Sequence, residues 1–404
     1  MNDKSNKYIS DNRIKVNIKL PNDIIEIANE FKKHGKEIYV VGGAIRDYFQ
    51  NKFPHDFDLV TNALPEESKQ ILNNFNVSDE QGKSFGVLRI YTKNEPEGYE
   101  LASFRKDISF GRDTKGNDQK VEIGKSITIQ DDSERRDLTI NALYYDINNK
   151  EIIDLVGGVD DINNKIIRTV GNPIDRFNED RLRILRIFRF SARTNSNIDR
   201  ETEKALKIDN RLFGISNKED VSKERIQEEF NKTIEHAKND LSIMQRYVDL
   251  LSKFEMWKQM FGVNLKYNKN INVDVLNKSI IFYDLLKNNI FNNNLKKELI
   301  FKLKFDSKTT NELLFINSFI SISIENIYNL TLLKNRFHIT NDFIIELKNH
   351  YKLNSKLVSS FIKYSDAGFV VNGEDLIKLG FKGNDISVEK QRLETERFVN
   401  VFLK

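Results

Sequence analysis

The sequence predicts an α+β protein: a small mixed β-sheet in an N-terminal head, followed by an all-α neck, body and tail. Three observations carry this expectation. Short apolar runs bounded by glycine and polar turns cluster before about residue 150, whereas Leu, Ile, Lys, Glu and Asn in helical patterns dominate after about residue 175. Only 5 prolines and 18 glycines punctuate the 404 residues, few for an all-β chain. A hydrophobic content of 39% can bury sizeable cores, and this length divides naturally into two to four domains. We place the segments at 1–150 (head), 151–235 (neck), 236–320 (helical body) and 321–404 (helical tail).

In chain order, Ile38-Tyr39-Val40-Val41 reads as a strand stopped by Gly42-Gly43. A helix follows from Ala44 to Asn51 and is broken by Pro54. Phe57 to Val60, Val87 to Tyr91 and Tyr99 to Phe104 read as further strands. Lys106 to Ser133 is polar and glycine-dotted, a mobile loop by composition. Apolar periodicity resumes from Arg136 to Tyr145, and from Asp180 onward the pattern is helical. The Asn-rich stretch Asn288 to Asn294 reads as a junction between helices, and lone Trp257 as a core residue.

Composition excludes several chemistries. With no cysteine there is no disulfide, zinc–thiolate site or cysteine nucleophile. The five histidines (His34, His55, His236, His338, His350) are scattered, which argues against a histidine-based metal site. The 64 basic and 60 acidic residues leave a net charge of only +4, so a nucleic-acid surface would have to be a local concentration of charge. No apolar run reaches membrane-spanning length, and the polar N-terminus lacks the apolar core of a signal peptide. A reduced, cytoplasmic setting is expected, with no membrane and no obligate protein partner.

The sharpest local feature is Gly42-Gly43-Ala44-Ile45-Arg46-Asp47 followed by His55-Asp56-Phe57-Asp58. Residues two apart on a strand share a face, so Asp56 and Asp58 converge while Phe57 and Leu59 face the core. Two convergent carboxylates suit Mg²⁺, a hard cation that takes oxygen ligands and shares them with substrate phosphates. The diglycine turn before a helix offers backbone N–H groups at Gly43, and Arg46 a charge-assisted contact, both suited to a triphosphate. Each piece alone has an ordinary reading, a solvated strand edge or a simple turn. Their combination is much more specific.

This combination, YVVGGAIRDYFQNKFPHDFDLVTNALPEE, resembles the first motif of the nucleotidyltransferase superfamily, and within it the class II CCA-adding enzymes and their bacterial poly(A) polymerase relatives. The resemblance implies a third catalytic carboxylate at Glu100, beside Asp56 and Asp58. It extends to Arg135-Arg136-Asp137-Leu138-Thr139-Ile140-Asn141-Ala142, where it implies that Arg136 faces the triphosphate and that Asp137 or Asn141 holds the ribose 2′-hydroxyl. The plain alternative there is a helix start capped by Asp137, with Arg135 and Arg136 in a surface ion cluster beside Glu134. Asp154 to Ile162 and Arg168 to Gly171 resemble the linker between head and neck.

Glu179 to Phe190 resembles the base-recognition motif of the same enzymes. Asp180 and Arg183 are spaced i and i+3, neighbours on a helix face. Asp180 can accept from the amino group of cytosine or adenine while Arg183 donates to the adjacent ring nitrogen; uracil and guanine mismatch both contacts. The plain alternative is an intrahelical ion pair worth a few tenths of a kcal/mol. Arg186 and Arg189 continue at three-residue steps, toward phosphate or sugar or simply as a solvated basic face. Strong resemblance covers roughly residues 20 to 235, fades after about Asp240, and returns faintly at Val371 to Leu376 and Gly380 to Gly383.

The activity implied is addition of C, C and A to the 3′ end of tRNA from CTP and ATP, without a nucleic-acid template and with release of pyrophosphate. A poly(A) polymerase or a CC-only or A-only enzyme is the alternative. Gln81 to Val87 departs from the arginine-rich segment of the polymerases. Partners implied are the tRNA 3′ end and acceptor stem, with Lys296-Lys297 a further candidate for RNA phosphate.

Overall fold

The computed structural model describes residues 12–52, 54, 56–79, 87–108, 120–212, 221–237, 240, 242–261, 277–287 and 305–404. His55, Gln81 to Gly86, Asn288 to Asn294 and Lys296-Lys297 lie outside them. Two compact units divide the chain, Met1–Ser222 and Lys223–Lys404.

The first unit is built on an eight-stranded mixed sheet. Its strands are β1 (Asn12–Lys15), β2 (Ile38–Val41), β3 (Asp58–Thr61), β4 (Asn76–Ser78), β5 (Val87–Tyr91), β6 (Tyr99–Ser103), β9 (Leu143–Asp146) and β10 (Glu151–Asp154), in the order β1-β10-β9-β2-β3-β6-β5-β4. Only β3 and β6 run parallel; the other neighbours are antiparallel. All four residues of β2 are buried, as a central strand covered on both faces requires. One face carries Val40, Leu59, Leu88, Leu101 and Tyr145 against α1 (Asn22–Lys33), α2 (Gly43–Phe49) and the end of α3 (Pro65–Ile71). The opposite face carries Tyr39, Val41, Val60, Phe104 and Tyr144.

Two expectations need correction here. A head ending at residue 150 would remove β10 from its sheet, because Ile152 and Ile153 pair with Tyr145 and Tyr144. The sheet therefore runs to Asp154. The stretch expected as a loop from Lys106 holds a short hairpin, β7 (Lys106–Ile108) with β8 (Lys120–Glu122), and helix α4 (Ile129–Glu134). Thr128 caps that helix by accepting from the Asp131 backbone N–H, 3.2 Å away, a start signal that polarity alone disguised.

Beyond the sheet, α5 (Gly158–Asn163), α6 (Pro173–Glu179), α7 (Leu182–Thr194) and α8 (Arg200–Ile208) complete the unit. A two-stranded parallel bridge, Ile166–Ile167 with Asn197–Ile198, interrupts the expected all-helical stretch. Gly158 admits no side chain, since a Cβ would collide with the Thr139 carbonyl.

The second unit is helical throughout its described residues, beginning with α9 (Lys223–Ala237), so the expected boundary near 235 falls inside a helix. Trp257 is buried against Phe230, as a core residue. No described helix is long and apolar enough to cross a membrane.

Candidate active site

The strand pairing aligns a row of side chains on one face of the sheet. Val41 of β2 pairs with Tyr144 of β9 on one side and Asp58 of β3 on the other. One residue before the Leu59–Leu101 pair, Glu100 of β6 comes alongside Asp58, and Glu100 pairs in turn with Arg89 of β5. The row Tyr144–Val41–Asp58–Glu100–Arg89 thus crosses five strands at about 4.8 Å per step. Phe57 and Leu59 are buried as expected, which leaves Asp56 exposed and Asp58 half-buried.

The acidic end is short of positive charge. Asp58 is pushed up to about 6 by burial, then by the like charges of Asp56 and Glu100, against the pull of Arg136 and Arg89. Glu100 is half-exposed and accepts from Arg89 at 2.8 Å. Among the described residues no three acidic or histidine side chains stand close enough to hold one ion. Asp56, Asp58 and Glu100 share one electrostatic field, and Glu100 is paired with its cross-strand arginine. An oxygen-only set whose charges repel one another nevertheless fits a hard divalent cation, which supplies the missing charge.

At the other end of the row, Arg136 lies over the Tyr144 ring, 5.2 Å from its centroid. Its Nε donates to the Tyr144 hydroxyl (2.9 Å) and its Nη2 to Asp132 (2.9 Å). Asp132 is fully buried; burial would raise its pKa, but Arg136 and Arg135 hold it at about 2. Arg135 and Arg136 are thus tied to Asp132 rather than displayed in a surface cluster with Glu134. Sequence reasoning missed Asp132, although its spacing of three and four residues before the two arginines is the helical ion-pair signal.

A second, buried network joins the glycine turn to α7. Gly42 takes a left-handed φ of 74°, and Gly43 opens α2. Arg46 is only 3% exposed; its Nη1 donates to Asn141 Oδ1 at 2.7 Å and its Nη2 to Asp47 at 3.2 Å. Asn141 donates to Asp137 Oδ1 (3.3 Å), and Arg186 donates to Asp137 Oδ2 (2.7 Å). Burial would raise Asp137, but Arg186 outweighs it and holds the carboxyl at about 2. Arg193 reaches Asp47 at 3.3 Å, and Arg46, Arg186 and Arg189 all lie over the Phe190 ring. Arg46 and Arg189 are thus core members of a charged cluster, not side chains standing open to a triphosphate, and Arg189 is not part of a solvated basic face. Asp47 and Arg193 were also missed in the sequence; nothing in their spacing marks them, since they meet only through the fold.

The Asp180–Arg183 geometry also differs from expectation. Asp180 sits in extended backbone (φ −153°, ψ 109°) between α6 and α7, and its Oδ1 accepts from the Leu182 N–H at 3.0 Å. Aspartate there competes for backbone N–H groups and splits what spacing suggested was one helix. Buried Arg183 donates to Glu179 at 2.8 Å and to the Arg135 carbonyl at 3.3 Å. The two side chains still flank the start of α7, beside the Arg135–Asn141 segment.

Residues 38–168, which hold the glycine turn, the acidic strand edge and the Arg135–Asn141 segment, match the family model of the poly A polymerase head domain. Similar proteins include the CCA-adding enzyme of Lactobacillus helveticus, 36% identical over 53% of this chain and 51% of that protein, and poly(A) polymerase I of Salmonella typhi, 32% identical over 65% and 52%. The chain thus aligns with about half the length of these curated relatives. In fold, it resembles the Bacillus stearothermophilus CCA-adding enzyme solved with CTP, with a TM-score of 0.65 and 22% identity over 94% of this chain and 92% of that one.

Proposed function

We propose that this protein is a CCA-adding tRNA nucleotidyltransferase, extending tRNA 3′ ends in the cytoplasm from CTP and ATP. The observation that carries the reading is the under-neutralised acidic edge around Asp58, set in the same sheet row as the Tyr144 floor beneath Arg136. Asp56 and Asp58 would hold Mg²⁺, which supplies charge stabilisation at the transferring phosphoryl group, while Glu100 acts from the neighbouring strand. Arg136 contacts the triphosphate. Asp137 and Asn141, fixed by Arg186 and Arg46, present the ribose-binding surface. Asp180 and Arg183 read the amino edge shared by cytosine and adenine, and release of Arg183 from Glu179 frees its guanidinium for the base. The helices that follow the sheet serve as neck, and the second unit as a helical body and a tail that binds tRNA.

A poly(A) polymerase is the competing reading, favoured by the Salmonella relative. Supplying all four nucleotides with a tRNA lacking its terminal CCA, then sequencing the 3′ ends, separates the two. We expect C, C and A followed by arrest; a run of A would select the polymerase, C alone or A alone a partial enzyme, and no extension would overturn the assignment.

A further inference from the structure

We propose that Asp132 and Tyr144 are positioning residues that together aim Arg136 at the polyphosphate of the incoming nucleotide. The inference rests on the reading of Arg136 as the triphosphate contact and goes beyond it by naming what directs that contact.

Arginine is a long, flexible side chain, and a guanidinium that must meet an anion in one orientation needs fixed acceptors on its other edges. Here those acceptors are two. Asp132 Oδ2 takes Nη2 at 2.9 Å and Nε at 3.2 Å, and the Tyr144 hydroxyl takes Nε at 2.9 Å. Tyr144 donates its own proton to Asp132 Oδ2 at 2.7 Å, which closes the triangle and leaves the hydroxyl oxygen facing Arg136. Both Asp132 and Tyr144 are fully buried, so neither competes for the ligand itself. The other carboxylate oxygen, Oδ1, takes Arg135 at 2.9 Å, and the Arg135 carbonyl accepts from Arg183. Among the described residues, the one guanidinium nitrogen of Arg136 without a protein acceptor is Nη1. Tyr144 and Asp58 flank Val41 in the same sheet row, so the face on which Arg136 lies is the face that carries the Asp58 carboxylate.

The test uses the full chain and inorganic tripolyphosphate as the probe, with binding followed by calorimetry for Arg136→Ala, Tyr144→Phe, Asp132→Asn and the double variant Arg136→Ala/Tyr144→Phe. Loss of a charged hydrogen bond predicts roughly 30-fold weaker binding for Arg136→Ala, and roughly 5-fold for Tyr144→Phe. The KM for CTP and for ATP should rise by matching factors while discrimination against UTP and GTP stays unchanged. In the Arg136→Ala background the tyrosine change should cost nothing further, an outcome that a merely structural role would not produce. Tyr144→Phe keeps the Asp132–Arg136 pair and the ring packing, so it reports even if Asp132→Asn fails to fold. If Arg136→Ala binds tripolyphosphate normally, the triphosphate reading of Arg136 fails and the positioning role with it. If Arg136→Ala weakens binding but Tyr144→Phe does not, or weakens it equally in both backgrounds, the positioning role alone is overturned.

Discussion

The first unit holds two clusters of charge that solve opposite problems. Around Asp58, burial and then the like charges of Asp56 and Glu100, with Arg136 and Arg89 as partial counterweights, hold the carboxyl up to about 6. Around Asp137, a carboxylate of the same type is held down at about 2, because Arg186 and Asn141 satisfy it. The acidic edge carries half-buried and mutually repelling charge that a ligand can relieve, whereas hydrogen bonds and an ion pair join Arg46, Asn141, Asp137 and Arg186 into one chain. The first arrangement sacrifices stability to create a demand for charge; the second provides the rigid wall against which that demand is met. Substitutions in the two clusters should therefore separate activity from stability.

The largest effect is expected at Asp58. Asp58→Asn should lower nucleotide incorporation by roughly 10³-fold or more, since the cation site proposed at Asp56 and Asp58 would lose one of its two carboxylates. The same change should stabilise the protein in the absence of divalent cations. A folded carboxyl raised above its unfolded value binds protons more tightly in the native state, so wild-type stability falls as pH rises from about 4 through about 6. The asparagine variant avoids that loss, a gain on the order of 2 kcal/mol at pH 8 that vanishes near pH 4. Thermal unfolding in a chelator at both pH values measures it. A variant less stable than wild type at pH 8 would show that burial and neighbouring charge do not raise the Asp58 carboxyl.

The opposite pattern is expected at Asp137. Asp137→Asn removes the carboxylate that Arg186 holds at 2.7 Å and should cost about 3 kcal/mol of stability at pH 7. A folded pKa depressed to about 2 contributes stability that is complete above the unfolded value near 4 and is lost as pH falls toward 2. The difference between wild type and variant should thus shrink below about pH 4, as followed by denaturant unfolding. A gap that persists undiminished to pH 2 would place the loss in packing rather than in the ion pair.

The two clusters were not equally legible in the sequence. The alternation Asp56-Phe57-Asp58-Leu59 declares its own faces, because strand periodicity is exactly two and burial of Phe57 and Leu59 fixes the rest. The glycine turn and the strands β2, β5 and β6 were readable for the same local reason. The self-satisfied cluster was not: Arg46 meets Asn141 across 95 residues and Arg193 meets Asp47 across 146, separations that no spacing rule reaches. Arg46 therefore reads as a phosphate ligand although it is buried, and Asp180 reads as helical although its backbone is extended and its Oδ1 accepts from the Leu182 N–H. The carboxylate that holds Arg183 at 2.8 Å is Glu179, one residue before the point where the chain leaves helical geometry at Asp180.

The smallest effect sharpens the acidic edge itself. Arg89 sits directly across from Glu100 and holds it at 2.8 Å, an ion pair whose partners are 28% and 51% exposed. Cross-strand pairs of this exposure contribute little to stability, so Arg89→Gln should shift unfolding by less than about 1 kcal/mol. Its effect on the site runs the other way from a typical loss of contact. Removing the arginine releases Glu100 and takes one positive charge away from Asp58, whose carboxyl should move further up. Both changes increase the demand for a cation, and the magnesium concentration at half-maximal activity should fall by about two- to fivefold. Saturating magnesium should erase the difference, since the ion then supplies what Arg89 supplied in part. A magnesium midpoint that rises in Arg89→Gln would mean that Arg89 assists the cation site rather than competing with it, and the contrast between an open and a closed charge cluster would have to be redrawn at this end of the sheet.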